Sequence, residues 1–363
     1  MRFIVRRAKI TVRQLRHSKG ILMHKQSVLI MALVLATAAP AVYPADQEVP
    51  RTASGKPDLS GRYDISSLTP FQRPEEFGDR LFLTEDEAHA MASRAAQSRQ
   101  NQSQPSDPNR EAPKAGGNVG AYNDFWFEWG SQGFAIDGKF RTSILTEPAN
   151  GRMPTMTLAA RERRADAPRF AWQNLGKAWW LETGDTPYDG PENMVLGVRC
   201  IYQPTASVPI RPLPYNNLKT IVQTDTHVMI NIEWMHWTRV VRMDSEHLPE
   251  TMRSLDGDSI GWWDGDTLNV ETTNFDELPG VAREGLRVVE RFSPVSDQGL
   301  LYQFEVEDPD YTGTYGGELL WPKTDAHNFE YACHEGNYAM GGTLRGARLL
   351  EQEFYQEAGT SGD

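Results

Sequence analysis

The chain has 363 residues, of which 39% are hydrophobic, and a formal net charge of -12 at pH 7. Residues 1–45 contain eight of the 37 Lys and Arg residues and none of the 49 acids, so the chain from residue 46 onwards has a net charge of -20. Such an acidic surface repels phosphate backbones and anionic lipids, which argues against nucleic-acid and membrane-surface partners.

Residues 1–45 are predicted to be a secretory signal peptide. A basic lead is followed by the apolar run SVLIMALVLATAAPAVYPA, which ends in small residues. The run is too short and too rich in Ala, Thr and Pro for a stable membrane span. We expect cleavage at Ala41 or Ala45, with Met23 as an alternative start. The protein is therefore expected to be periplasmic or secreted, with no membrane span after cleavage.

Residues 46–120 are predicted to form an extended lead-in, one helix and a flexible linker. Residues 46–80 are rich in Pro and show no sustained periodicity. Thr84 has the character of an N-cap for a helix over residues 84–97, with acids in the first turn. Residues 100–120 are polar and rich in Pro, Gly and Asn, which is typical of a linker.

From residue 121 onwards, short runs of aromatic and β-branched residues alternate with turn dipeptides, which predicts strands. The runs are FWFEW, FRTSILTE, LKTIVQT, HVMINIEWMHWTRVVRM, SIGWW, TLNVETTNF, LRVVERF, LLYQFEVED, GELLW and NFEYACH. Asp264-Gly265 separates two of them and is a hairpin signal. A long meander of hairpins must close or stack to protect its edges. We therefore expect residues 121–363 to form an all-β antiparallel meander that closes into a barrel of lipocalin-like or related type, with a few peripheral helices, including 158–166 and the C-terminal tail.

The two cysteines, Cys200 and Cys333, are predicted to form one disulfide bond, because the signal peptide implies an oxidising compartment. The bond would close a loop of about 130 residues and stabilise the fold by about 4 to 5 kcal/mol. Two separately buried thiols are the alternative.

The run HVMINIEWMHWTRVV contains the first group of candidate site residues. On a regular strand, alternation places Glu233, Trp237 and Arg239 on one side and Trp234 and His236 on the other. Glu233 and His236 are the candidate catalytic residues of this run. His236, which shares a strand face with Trp234, is the better general base or acid in the interior. The alternative is a hydrogen-bonded core histidine without a catalytic role.

The stretch ACHEGNY contains the second group. His334 and Glu335 are candidate catalytic partners of His236, and Asn337 is a candidate substrate contact. His334 followed directly by Glu335 lacks the spacing of a metal motif, so no metal is expected.

Further candidates would bind a substrate rather than react with it. Trp126, Trp234 and Trp237 are candidate walls for a flat or apolar ligand. Arg141 can clamp a carboxylate or pair with Glu128. The chain has no nucleotide-binding glycine motif and no nucleophile elbow, so we expect no organic cofactor.

Several stretches together resemble a widespread family of secreted bacterial proteins. They are GKPDLSG, YNDFWFEWG, RTSILTEPANGRMP, RCIYQ, YNNLKTIVQT, WDGDTLNVETTNF, LRVVERF, EDPDYT and YACHEGNYAMGGTLRGAR. The resemblance covers nearly the whole chain after residue 45 and implies no particular activity. Members of that family tend to have an acid directly after the His of the E-x-x-H stretch, where this chain has Trp237.

Two functions fit these observations. The first is an enzyme in which His236 works with His334 and Glu335, or with Glu233, in acid–base chemistry of the lyase, isomerase or hydrolase type on a small apolar or aromatic molecule. The second is a lipocalin-like protein whose pocket binds a small molecule without changing it.

Overall fold

The computed structural model describes residues 49–105, 107–112, 114, 127–167, 175–204, 207–296 and 299–359. The predicted signal peptide and much of the predicted linker lie outside these ranges. Within the ranges, no helix has the length and apolar character needed to cross a membrane.

The described residues form twelve strands and four α-helices. The strands are β1 Gly61–Asp64, β2 Ala135–Ile136, β3 Lys139–Phe140, β4 Leu145–Glu147, β5 Leu218–Gln223, β6 His227–Ile232, β7 Trp237–Met243, β8 Asp258–Asp264, β9 Thr267–Thr273, β10 Arg287–Ser296, β11 Gly299–Glu307 and β12 Tyr315–Pro322. The helices are α1 Glu85–Gln102, α2 Leu158–Ala165, α3 Trp179–Thr183 and α4 Tyr338–Glu357. Short 3-10 turns occupy Glu75–Phe77, Pro191–Asn193 and Trp234–His236.

Ten strands form one curled sheet in the order β1-β5-β6-β7-β8-β9-β10-β11-β12-β4. Every neighbouring pair is antiparallel except β7 and β8, which are parallel because the connection 244–257 returns the chain to its starting side. β2 and β3 pair separately. The prediction of a mostly β fold with few helices is confirmed, but the uninterrupted antiparallel meander is wrong at β7–β8.

The sheet curls without closing into a barrel, so the prediction of a closed barrel is wrong. Its edge strands, β1 and β4, approach β12 differently: β4 pairs with only two residues of β12, whereas Tyr63 of β1 forms a single isolated bridge with Lys323. The amide of Thr324 also donates to the carbonyl of Arg62 at 2.9 Å. Short edge strands of this kind limit edge-to-edge association, and the lead-in supplies one of them.

The core lies on the concave face of the sheet. Alternate residues of β6, namely Val228, Ile230 and Ile232, are at most 1% exposed. At the centre, the ring centroids of Tyr302 and Trp321 are 5.0 Å apart. Full burial of each large apolar side chain contributes about 1.5 to 3 kcal/mol, so this face accounts for most of the stability.

The helices α1, α2 and α4 lie at the positions that the sequence indicates, with different lengths, whereas α3 was not predicted. α1 begins with a complete capping box between Thr84 and Glu87, which satisfies two amide donors of the first turn. α4 is longer than the predicted tail helix and packs through Ala347 on Trp180 of α3. The run NFEYACH forms no strand, so that prediction is wrong.

The predicted disulfide is confirmed: Cys200 is bonded to Cys333 across a sequence separation of 133 residues. It ties the turn before Tyr202 to the segment that precedes α4. Both ends of this link lie outside the sheet, so the bond fastens peripheral segments rather than strands.

Replacing Cys200 and Cys333 together by Ser is expected to lower the free energy of unfolding by about 5 kcal/mol, because the unfolded chain regains the closed loop's entropy. The midpoint of thermal unfolding should fall by on the order of 10 °C. A reductant should lower the wild-type midpoint similarly and leave the double variant unchanged. A wild-type midpoint that does not respond to complete reduction would contradict the prediction.

Candidate functional site

The run HVMINIEWMHWTRVVRM is not one strand but two, with a tight turn at residues 233–236. Ile232 at the end of β6 pairs directly with Trp237 at the start of β7. The amide of His236 donates to the carbonyl of Glu233 at 2.9 Å. Met235 and His236 have φ values of 61° and 46°, which non-glycine residues rarely adopt. The alternation assumed for a regular strand therefore stops at Ile232.

This turn exchanges the predicted positions of the two titratable residues. Glu233 is 3% exposed and Trp234 is 9% exposed, whereas His236 is exposed. The Nδ1 atom of His236 lies 3.2 Å from the carbonyl oxygen of Tyr331. The prediction that His236 lies in the interior is therefore wrong, and the buried acid–base group of the turn is Glu233.

Lys219 is a second buried titratable group beside the turn, and it belongs to none of the predicted site motifs. It pairs with Ile232 in the ladder between β5 and β6 and is 1% exposed. Its Nζ donates to the backbone carbonyls of Asn216 and Leu218, at 3.3 Å each. The only signal in the sequence is that Lys219 shares a strand face with Ile221.

Burial lowers the pKa of Lys219 to about 7, against the opposing effect of three acids, Glu233, Asp64 and Glu128. Within the described ranges, none of these carboxylates forms an ion pair with the amine. The amine is therefore partly neutral near neutral pH, which is rare for a lysine.

Burial also raises the pKa of Glu233. Its Oε1 accepts a hydrogen bond from the amide of Phe329 at 3.0 Å, and this bond and the side chain of Asn216 partly oppose the shift. Glu233 and Lys219 are thus neighbours whose pKa values both move toward neutral pH, where a general acid or base is most efficient.

An aromatic stack flanks the turn. The rings of Tyr215 and Trp234 are nearly parallel with centroids 4.3 Å apart, and those of Trp234 and Tyr331 are 6.0 Å apart. Two tyrosine rings thus stack with the indole of Trp234, and its edge remains for a ligand. That edge contains a buried N–H without a hydrogen-bond partner.

Beyond the turn, Trp237 and Arg239 point to the concave face of β7. Arg239 is 3% exposed and forms an ion pair with Glu290, whose other carboxylate oxygen accepts a hydrogen bond from Tyr302 at 2.8 Å. The Nε and Nη2 atoms of Arg239 have no partner. The ring of Trp237 packs against Tyr202 with centroids 5.1 Å apart.

Asp256 lies beside this group and keeps partial exposure. Its carboxylate accepts a hydrogen bond from Ser207. Burial raises its pKa, although Arg239, Ser207 and the indole of Trp237 oppose the shift. A partly exposed but desolvated carboxyl is typical of a recessed site.

Unpartnered polar atoms concentrate in this region. Among the described residues, the buried side-chain atoms without a hydrogen-bond partner include the indole nitrogen of Trp234 and the Nε and Nη2 atoms of Arg239. Buried polar atoms are almost always hydrogen-bonded. Their clustering on one short segment identifies it as the candidate functional site.

The remaining predicted catalytic residues lie outside this group. His334 and Glu335 are exposed in a turn, so His236 and His334 do not converge in an enclosed hollow. Their catalytic roles stay predictions. The described residues contain no cluster of three or more His, Cys, Asp or Glu arranged to hold a metal ion.

The other predicted substrate contacts have partners within the protein. Arg141 pairs with Glu318, its Nε lying 2.7 Å from Oε1, rather than with Glu128. Asn337 donates to the carbonyl of Val198 at 2.7 Å and caps α4. Trp126 lies outside the described residues.

Comparison with known proteins identifies no relative. No protein-family model, curated protein or solved structure matches this chain. The resemblance to secreted bacterial proteins therefore stays a prediction, and the function must be argued from the site itself.

Replacing Lys219 by Met should make the protein more stable near pH 7, because unfolding of the wild type releases a buried amine with a lowered pKa. Between its folded pKa of about 7 and its unfolded value of 10.5, the unfolded state binds more protons, so wild-type stability rises with pH. From pH 7 to pH 10 the advantage of the variant should shrink by about 4 kcal/mol.

The measurement is urea unfolding of wild type and variant at several pH values. The matched control is Lys56→Met, at an exposed lysine, which should show a constant difference from wild type. A Lys219→Met difference that does not depend on pH would contradict the lowered pKa.

Proposed function

We propose that this protein is an enzyme without an organic cofactor that transfers protons on a small, largely apolar or aromatic molecule, with Glu233 and Lys219 as its acid–base pair. The observation that carries the proposal is that two buried, neighbouring titratable groups have pKa values shifted in opposite directions. This assignment replaces the imidazole pair that the sequence suggested.

The two groups supply complementary chemistry near neutral pH. The neutral amine of Lys219 can accept a proton from a carbon or oxygen acid, and the raised pKa of Glu233 favours the protonated carboxyl that can donate one. Alternating these steps supports elimination, hydration or isomerisation, so the proposed class is a lyase, isomerase or hydrolase. Neither group needs a metal for this role.

The unpartnered donors of the site fit a substrate that carries an oxygen. The indole N–H of Trp234 and the free N–H groups of Arg239 can each donate to a carbonyl or developing oxyanion. Donors that are fixed before the reaction stabilise such charge strongly in a dry site. Their positions on one segment favour a compact substrate.

Access requires motion of a cover. Lys219 and Glu233 are at most 3% exposed, and the cover is the segment 324–337, whose residues 328–331 contact β5, β6 and the turn beside them. In this cover the amide of Phe329 binds Glu233, and the Asn328 side chain donates to the side chain of Asn231 at 2.7 Å. The disulfide at Cys333 holds one end of the cover, so entry would occur toward Lys323.

The burial of both groups also favours a second candidate function, a non-catalytic binding protein with lipocalin-like logic. In that case the curled sheet and its cover would enclose a guest molecule, and the unpartnered donors would only orient it. Both candidates fit a periplasmic or secreted protein with a signal peptide and a disulfide, and this localisation is part of the proposal.

The test is incubation of the purified protein with a periplasmic metabolite extract, followed by mass spectrometry. Wild type should consume at least one compound, and Glu233→Gln and Lys219→Met should each reduce the rate by about 100-fold or more, a typical contribution of a general acid or base. The wild-type rate should rise as the pH passes about 7, where Lys219 loses its proton.

His236→Ala and His334→Ala are the matched controls, because both imidazoles are exposed, and both variants should keep wild-type rates. Equal turnover by the Glu233 and Lys219 variants would remove the proposed pair. Retention of a compound in unaltered form would identify a binding protein.

A further inference from the structure

Arg211 is a guanidinium held at one side of the concave face without an acidic partner. It lies in the segment that crosses the sheet before β5, and it is only partly exposed. The amide of the preceding residue, Ile210, donates to the hydroxyl of Tyr302 at 2.8 Å. This bond fixes the backbone at the point where the Arg211 side chain leaves it.

An aromatic platform holds the side chain. The guanidinium carbon of Arg211 lies 4.8 Å from the ring centroid of Phe71, and the Phe71 ring stacks on Phe304 in β11. A cation over an aromatic face is attracted to it. Because one face of the planar group is covered, its N–H edges are left for other contacts.

The groups near that edge are phenols rather than carboxylates. The rings of Tyr311 and Tyr315 pack edge to face with centroids 5.8 Å apart. Burial lowers the pKa of the Arg211 guanidinium, and both tyrosines lie near enough to oppose this shift. Within the described ranges, Arg211 forms no ion pair and no hydrogen bond with a protein group.

An unpaired guanidinium in a recess is costly, since a desolvated charge normally requires a partner. The protein has acids in excess, with 49 Asp and Glu against 37 Lys and Arg. Of the nearby acids, Asp310 binds Arg163 and Arg164, and Asp308 accepts a hydrogen bond from the amide of Asp310 at 2.8 Å; neither forms an ion pair with Arg211. The missing partner of Arg211 is therefore more simply supplied from outside the chain.

We propose that Arg211, with Phe71, Tyr311 and Tyr315, forms a second binding site that takes the carboxylate of a small aromatic acid. The planar guanidinium matches a carboxylate through two parallel hydrogen bonds, the phenol hydroxyls donate to the same oxygens, and the rings contact the aromatic body. The site is independent of the proposed acid–base pair.

The charge around the site selects a monoanion over phosphate. Asp308 lies close enough to Tyr315 to raise its pKa, after the larger effect of burial. This carboxyl repels a dianion more strongly than a carboxylate, which brings only a single charge for Arg211 to neutralise.

The test is isothermal titration calorimetry of the full protein with benzoate, and with acetate and inorganic phosphate as comparison anions. Wild type should bind benzoate saturably and more tightly than either. Arg211→Met should weaken benzoate binding by at least ten-fold, and Tyr315→Phe by a few-fold. The control Arg345→Met, at an exposed arginine of α4, should bind as wild type does.

Absence of saturable benzoate binding by wild type, or equal binding by Arg211→Met, would overturn the proposal. A second experiment uses only the wild-type protein, so its result does not depend on the folding of a variant. Benzoate should slow the reaction of Arg211 with phenylglyoxal several-fold, read by peptide mass spectrometry, and leave that of Arg345 unchanged. Unprotected Arg211 would equally overturn the proposal.

Discussion

The direct pairing of Ile232 with Trp237 is the constraint on which the candidate site depends. Only residues 233–236 are available to connect β6 with β7, so the chain accepts positive φ at Met235 and His236. That geometry directs Glu233 inward and His236 outward. Because β5 lies next to β6, the inward carboxyl also comes to lie beside Lys219. Backbone strain of this kind costs about 1 to 3 kcal/mol per residue and persists where the surrounding structure enforces it.

The buried charged residues of the concave face differ in whether they have a charged partner. Arg239 has Glu290 as its partner, and Tyr302 donates to the other oxygen of that carboxylate, so part of the desolvation cost is offset. Lys219 has only two backbone carbonyls, and Arg211 has only an aromatic platform. Buried groups that lower the free energy of unfolding in this way are common at functional sites, because the same groups are needed for catalysis or binding. The buried aromatic residues of the core stabilise the fold enough to offset this loss.

Sequence patterns identify the strands and the disulfide well, because alternation and cysteine number are local signals. The hairpin near Asp264 is present, although its loop residues are Gly265 and Asp266, one position later than the Asp-Gly signal. The turn after Ile232 escapes prediction because no glycine or proline marks it. Lys219 escapes because a lone lysine in a strand is normally solvated. The closed barrel is wrong because β1 and β4 end the sheet without pairing with each other. β1 belongs to the predicted lead-in, and β4 forms over only three residues of the predicted strand FRTSILTE.

The central claim is that Lys219 is a buried amine with a lowered pKa beside a carboxyl with a raised one. The most direct measurement is a pH titration of the lysine side chains by nuclear magnetic resonance, with the Lys219 signal assigned by its loss in Lys219→Met. The account predicts a titration midpoint near pH 7 for Lys219. A midpoint near the ordinary lysine value of about 10.4 would contradict it.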